Sequence, residues 1–222
     1  MLALVAGQGQ LPTLLATRAG PDRVLALEGF APDTIVPDET FRIENLGSLI
    51  ADLSERGVTQ VVFAGAIGRP ELDPSKIDPA TMPLVPRMMT ALQAGDDQAL
   101  REVLSFFEEA GIAIQGAHNL MPELFPAEGV LTRRRPDRQN ALDLARARSV
   151  VEAMGSADIG QGAVIKSGQV LAVEGMYGTD WMLGSLRNRP DEGGGLLCFV
   201  PGLACRGSSS SCFCSLKEPR LS

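Results

Sequence analysis

The chain carries no cysteine before residue 198; Cys198, Cys205, Cys212 and Cys214 all fall in its last stretch. A secreted disulfide framework spreads cysteines through the fold, and a structural zinc site needs paired Cys or His at short fixed spacings, so neither is expected. His118 is the only histidine, which leaves no His-based catalytic triad and no His metal cluster; beside Ala117 and Asn119 it reads as a strand-end polar residue. Aromatic residues make up 5% of the chain, with one Trp and one Tyr, so Leu, Val, Ile and Ala must build the core. Basic charge is also short. The formal net charge is −7 and the pI about 4.8, which argues against a general nucleic-acid binder. No apolar run approaches the roughly 18 residues of a membrane span. The opening apolar run LALVA lacks a preceding basic region, so no signal peptide is expected and a cytoplasmic location is.

What is present is an ordinary globular composition, 45% hydrophobic and 21% charged over 222 residues, enough for one large domain or two small ones. Arg133, Arg134, Arg135, Arg138, Arg146 and Arg148 cluster within 16 residues. They fit a solvated linker and helix face, or a positive field for a diphosphate or anionic lipid headgroups.

The first half alternates strand-like and helix-like segments. LALVA (2–6), RVLALE (23–28), QVVFAGA (60–66) and GIAIQGA (111–117) read as strands. A short helix follows Pro12. Leu46, Leu49, Ile50 and Leu53 have helical spacing, stopped by Gly57. The Pro- and Asp-rich residues 69–86 predict a long surface loop, followed by helices over about 84–93 and 97–110. The second is expected to be capped by Asp96 or Asp97 and stopped at Gly111. This βαβ alternation predicts a Rossmann-like parallel sheet with right-handed crossovers. Pro- and Arg-rich residues 121–138 mark a linker. Beyond it, a helix over about 139–154, with Leu142, Ala145, Ser149, Val150, Ala153 and Met154 on one face, precedes a hairpin over 162–173 turning at Ser167-Gly168 and a further helix from about 180. The fold class expected is α/β, with a smaller α+β domain at the C-terminus. The domains read as 1–130, a linker 131–139, 140–197 and a tail 198–222.

Three stretches could carry chemistry. AGQGQLP (6–12) lies between a strand and a helix, where backbone N–H groups can cradle a phosphate or simply close a tight turn. It resembles a dinucleotide fingerprint only in part, with Pro12 at the third glycine position; Glu28 falls where a ribose-binding acid would stand. AGAIGRP (64–70) ends another strand, and ligands of open α/β sheets bind beyond the strands' carboxyl ends. If these two strands are neighbours, both turns face one cleft. DIGQGAVIKSGQVLAVEGMYGTDWML (158–183) brings Asp158, Glu174 and Asp180, hard oxygen donors suited to Mg²⁺ or alternatively turn and cap residues, together with glycines and a helix start at Thr179-Asp180.

This last stretch resembles the C-terminal domain of the LpxI-type UDP-2,3-diacylglucosamine pyrophosphatases of lipid A biosynthesis. LVAGQGQLP (4–12), AGAIGRP (64–70), GDDQALREVLSFFEEAGIAIQGAHNLMPELF (95–125) and EGVLTRRRPD (128–137) are similar to that family in the same order, so the resemblance covers about residues 1–195. It implies hydrolysis of the diphosphate of UDP-2,3-diacylglucosamine to UMP and 2,3-diacylglucosamine 1-phosphate (lipid X), dependence on Mg²⁺, transient contact with the inner membrane, and a homodimer as a candidate assembly. Motifs and resemblance together give the expected site: Asp180 as the catalytic residue; Gly7, Gly9, Gln10, Leu11, Gly65, Ala66, Gly68, Gln161, Gly178 and Thr179 on the substrate; Asp158 and Glu174 on the metal. The ligand is expected between the two domains. A nucleotide-sugar or dinucleotide binding protein without hydrolysis is the alternative, and a redox enzyme using the G-x-G turn is a third.

After Gly195 the sequence departs from the family. Where a Lys-Pro-Gly-Gln-Asp-x-Arg-x-Asp-like segment with the catalytic aspartate is expected, the chain reads LLCFVPGLACRGSSSSCFCSLKEPRLS. The abrupt change predicts a frameshift near residues 196–200, a strand at LLCFV, a disordered remainder and hydrolysis at background rate only.

Overall fold

A computed structural model describes residues 1–68, 70–124, 129, 130, 133, 135–190, 195–199 and 213–215, with backbone alone at 94, 96, 97, 188, 196–199 and 213–215. The chain divides into two compact units, Met1–Pro126 and Ala127–Ser222.

The first unit is a five-stranded sheet flanked by helices. Its strands are β1 (Leu2–Ala6), β2 (Arg23–Leu27), β3 (Glu39–Phe41), β4 (Gln60–Ala64) and β5 (Ala113–Gln115). All the pairings are parallel, in the order β3-β2-β1-β4-β5. The order reverses direction between β1 and β4, which opens a crevice at the carboxyl ends of those strands. Helices α1 (Gln10–Arg18), α2 (Leu46–Glu55), α3 (Val85–Ala94), α4 (Asp96–Glu109) and α5 (Ala117–Leu120) connect or follow the strands. The apolar runs do not alternate because the sheet is covered on both faces. Ala3 and Val5 join a core with Leu49, Leu53 and Phe107, while Leu4 and Ala6 join another with Leu15, Val62 and Met121.

Two local expectations change. Strand β3 was not anticipated: Glu-Thr-Phe has no apolar run, and it becomes a strand by pairing with β2 at the sheet edge, where polar residues are tolerated. Helix α4 is headed by Gly95, at φ 131°, with no side-chain cap, and Asp96 is its first helical residue. The stretch 69–86 includes two 3₁₀ turns, Pro74–Lys76 and Met82–Leu84, and is fastened to the start of α2. Asp73 N–H donates to Glu44 Oε1 at 2.8 Å, and Gly47 N–H to Thr81 Oγ1 at 2.8 Å.

The second unit has α6 (Arg138–Ser156), β6 (Gly162–Lys166), β7 (Gln169–Val173), α7 (Gly178–Ser185), β8 (Leu196–Phe199) and β9 (Phe213–Ser215). Its sheet is antiparallel, in the order β7-β6-β8-β9. A capping box between Asp137 and Asn140 starts α6. The buried face of α6 carries Asp143, Ala147, Val151 and Met154, with Leu144 and Val150 packed beside it, whereas Leu142 is exposed. The face is therefore rotated from the one expected. The cause is Asp143, a carboxylate drawn inward: its Oδ1 accepts from Gly168 N–H at 2.7 Å and Gln139 Nε2 at 2.9 Å, and its Oδ2 from Ser167 N–H at 3.0 Å. Reading apolar periodicity alone puts an aspartate outside. Ser167 and Gly168 both have positive φ, 50° and 79°, the backbone signature of a tight two-residue hairpin turn.

The strand expected at LLCFV forms as β8 against β6. The expectation of a disordered tail falls outside the described residues, apart from Cys198 and Phe199, which end β8, and Phe213–Ser215, which pair with it. Among the described residues no helix is long and apolar enough to cross a membrane.

Candidate functional site

The glycine turns after β1 and β4 come together at the switch point. The two strands are neighbours in register, Ala6 opposite Ala64. Gly7 N–H donates to Ala64 O at 2.8 Å, and Gln8 and Ala66 exchange two hydrogen bonds of 2.9 Å, an isolated antiparallel bridge beyond the parallel strands. Each glycine has a distinct reason to be one. A Cβ on Gly7 would stand 2.5 Å from Ala66 O, and one on Gly65 would stand 2.6 Å from Gly7 C, so these two let one backbone lie on the other. Gly9 is different. A Cβ there would meet nothing within 4 Å, but its φ is +100°, so backbone conformation rather than crowding opposes a side chain.

Gly9 precedes α1, and its N–H donates to Asp33 Oδ2 at 3.0 Å. An anionic oxygen therefore already occupies a backbone donor at the positive end of a helix, the interaction by which such turns hold phosphate. Gln10 and Leu11 open α1 on the exposed side, and Gly65, Ala66 and Gly68 are exposed across from them. The structure thus gathers Gly7, Gly9, Gln10, Leu11, Gly65, Ala66 and Gly68 at one end of the sheet.

Glu28 follows the end of β2. Its Oε2 accepts from Arg42 Nη1 at 2.7 Å, while Arg42 Nη2 donates to Glu44 Oε1 at 3.2 Å. Glu44 is fully buried. Burial pushes its carboxyl up, but hydrogen bonds from the N–H groups of Asp73 and of Glu44 itself and from Arg42 outweigh that, and its pKa lies below the usual glutamate value. Arg42 is held above its ordinary value, first by the hydrogen bond to Glu44. Asp33, Arg42 and Glu44 were not singled out from sequence. Arg42 and Glu44 meet at the site through β3, whose formation the local sequence does not signal.

In the second unit, Glu174 joins two of the other expected residues. Its Oε1 accepts from Thr179 Oγ1 at 2.6 Å, and its Oε2 from Gln161 N–H at 3.2 Å. Thr179 and Asp180 lie in the first turn of α7 after Gly178, but Tyr177 is the N-cap residue and no side chain caps the helix; Asp180 is not the cap it could have been. Asp158 sits exposed in a turn at φ 51°. Among the described residues no three His, Cys, Asp or Glu side chains converge as a metal-holding group. His118 lies in α5, beside Gly116.

Comparison with known proteins agrees with this geometry on a common origin. Residues 1–124 match the LpxI N-terminal domain and residues 127–201 the LpxI C-terminal domain, the latter running past residue 195, where the resemblance was expected to end. The UDP-2,3-diacylglucosamine pyrophosphatase LpxI of Caulobacter vibrioides is 36% identical over 196 residues, covering 86% of this chain and 70% of that relative. Two successive domain matches in the family's order, together with a relative aligned through both, place the chain in the LpxI family.

Proposed function

We propose that this protein takes UDP-2,3-diacylglucosamine as its substrate in lipid A biosynthesis, with the diphosphate end held at the paired glycine turns of the first unit. The observation that carries the reading is the Gly9 N–H at the start of α1, engaged by the carboxylate of Asp33 at the sheet's switch point. A phosphate oxygen is an acceptor of the same kind and would exchange with Asp33 there. The name of the Caulobacter vibrioides relative supplies the substrate and the bond to be cleaved.

In this reading the turns orient the diphosphate so that water attacks phosphorus in line, and the N–H donors offset charge developing on its oxygens. Taken by itself, the second unit offers Thr179, Gln161 and Gly178 as substrate contacts and Asp180, exposed in the first turn of α7, as the catalytic carboxylate. The carboxylates described do not by themselves fit a metal cluster, so no step is assigned to a Mg²⁺ held by Asp158 and Glu174. Met176, Tyr177 and Trp181 are 89%, 67% and 60% exposed, an apolar surface suited to the transient membrane contact that an acylated substrate demands.

Residues 196–222 lack the aspartate-bearing segment expected of the family, and this favours binding without turnover. Calorimetry with the substrate in detergent micelles, alongside an assay for released UMP, tests both parts. Saturable binding with UMP release no faster than in a protein-free control is expected. Absence of saturable binding refutes the function, and UMP release well above the control refutes the loss of turnover.

A further inference from the structure

A cavity of about 190 Å³ lies at the carboxyl ends of β2 and β3, within the first unit. Leu27, Glu28, Phe30, Arg42, Glu44 and Pro70 are among its lining residues. Three features give it chemical character. The guanidinium of Arg42 is fixed by carboxylates on both terminal nitrogens, Glu28 on Nη1 and Glu44 on Nη2. That leaves Nε, which is buried and has no hydrogen-bond acceptor among the described residues. A buried donor without a partner is costly and uncommon, so a group that accepts from it would be held with a net gain. Glu28 is exposed, and only its Oε2 is engaged by Arg42. Phe30 supplies an apolar ring wall. That ring also reaches the glycine turn after β4, because a Cβ on Gly68 would stand 2.7 Å from Phe30 Cε1. Phe30 thus lines the cavity and also lies against the turn after β4.

We propose that this cavity holds the ribonucleoside end of the nucleotide, with the ribose hydroxyls read by Glu28 and Arg42 and the ring flanked by Phe30. The inference rests on the nucleotide reading given above and adds to it the place and the residues of sugar recognition. A hydroxyl serves both neighbours with a single atom: its O–H donates to the Glu28 carboxylate while its oxygen accepts from Arg42 Nε. A carboxylate or phosphate would satisfy Arg42 but be repelled by Glu28 and Glu44; an ammonium would do the reverse. Acid after the second strand of a parallel nucleotide-binding sheet commonly serves a ribose hydroxyl. Here the acid works with an arginine delivered by β3.

The test compares UDP with 2′-deoxy-UDP by calorimetry on the full chain. The unmodified protein is expected to bind 2′-deoxy-UDP about tenfold more weakly than UDP, the scale of one hydrogen bond to a charged group. Glu28→Gln is expected to bring the two affinities to within about twofold. Phe30→Ala is expected to weaken both nucleotides alike while leaving their ratio unchanged. Arg42 is left intact because its loss strands buried Glu44, and the deoxy comparison needs no variant at all. Equal affinity of the unmodified protein for the two nucleotides, with UDP bound, overturns the ribose assignment and leaves the substrate reading standing. Discrimination that persists unchanged in a folded Glu28→Gln protein overturns the role of Glu28. Failure of UDP and of the acylated substrate to bind overturns both this inference and the reading beneath it.

Discussion

Replacing Asp143 by alanine tests how the second unit is held together. The carboxylate is 4% exposed and accepts from the N–H groups of both residues of the β6–β7 turn, besides Gln139. Each hydrogen bond to a charged group contributes about 1.5–3 kcal/mol in such settings. Ser167 and Gly168 are exposed, so water replaces part of what is lost, and the lower end of the range applies to each. The expected destabilisation is therefore about 2–4 kcal/mol. The single tryptophan, Trp181, lies in this unit, so a urea titration followed by tryptophan fluorescence reports on it and not on the parallel sheet. Asp143→Asn, which keeps one acceptor oxygen, should recover about half of the loss. A shift of less than about 0.5 kcal/mol in Asp143→Ala, the size of an ordinary surface substitution, would refute the view that this buried carboxylate organises the hairpin.

Two further predictions concern the first unit. Glu44 titrates lower in the folded protein than its ordinary value of 4.5; in the interval between, the unfolded chain binds more protons, so stability rises with pH across it. Its contribution is complete above about pH 4.5 and is lost as pH falls through the folded value, and Glu44→Gln should flatten that acid limb in dichroism-monitored unfolding; an unchanged limb would contradict it. Gly7→Ala sets a Cβ 2.5 Å from Ala66 O, against backbone that can yield only by breaking the Gln8–Ala66 bridge, and should cost about 1–3 kcal/mol; an unchanged melting temperature would show that the turns part freely.

Local pattern determined much of this protein. The runs at 2–6, 24–27 and 61–64 are apolar throughout because both faces of a parallel sheet are covered, and that property is visible without coordinates. The glycines at 7, 9, 65 and 68 likewise announced turns, and their grouping followed once β1 and β4 were neighbours. The family motifs were also legible in order as far as Gly195, although the family match itself runs to residue 201.

Tertiary structure decided the rest. Whether Gly7 serves packing, Gly9 conformation and Gly65 both depends on the backbone path and on what lies across each, information that no spacing carries. Strand β3 exists through its partner β2, and so Arg42 reaches Glu28, Glu44 and the cavity only after the sheet has formed. Asp143 turned α6 by hydrogen bonding to a turn 24 and 25 residues away. Glu174, open to a metal role when read from its neighbours in sequence, has both oxygens engaged by Thr179 and Gln161. Most of these deciding interactions join residues distant along the chain, and hydrophobic periodicity records only which side chains are apolar, not which polar group will find its partner.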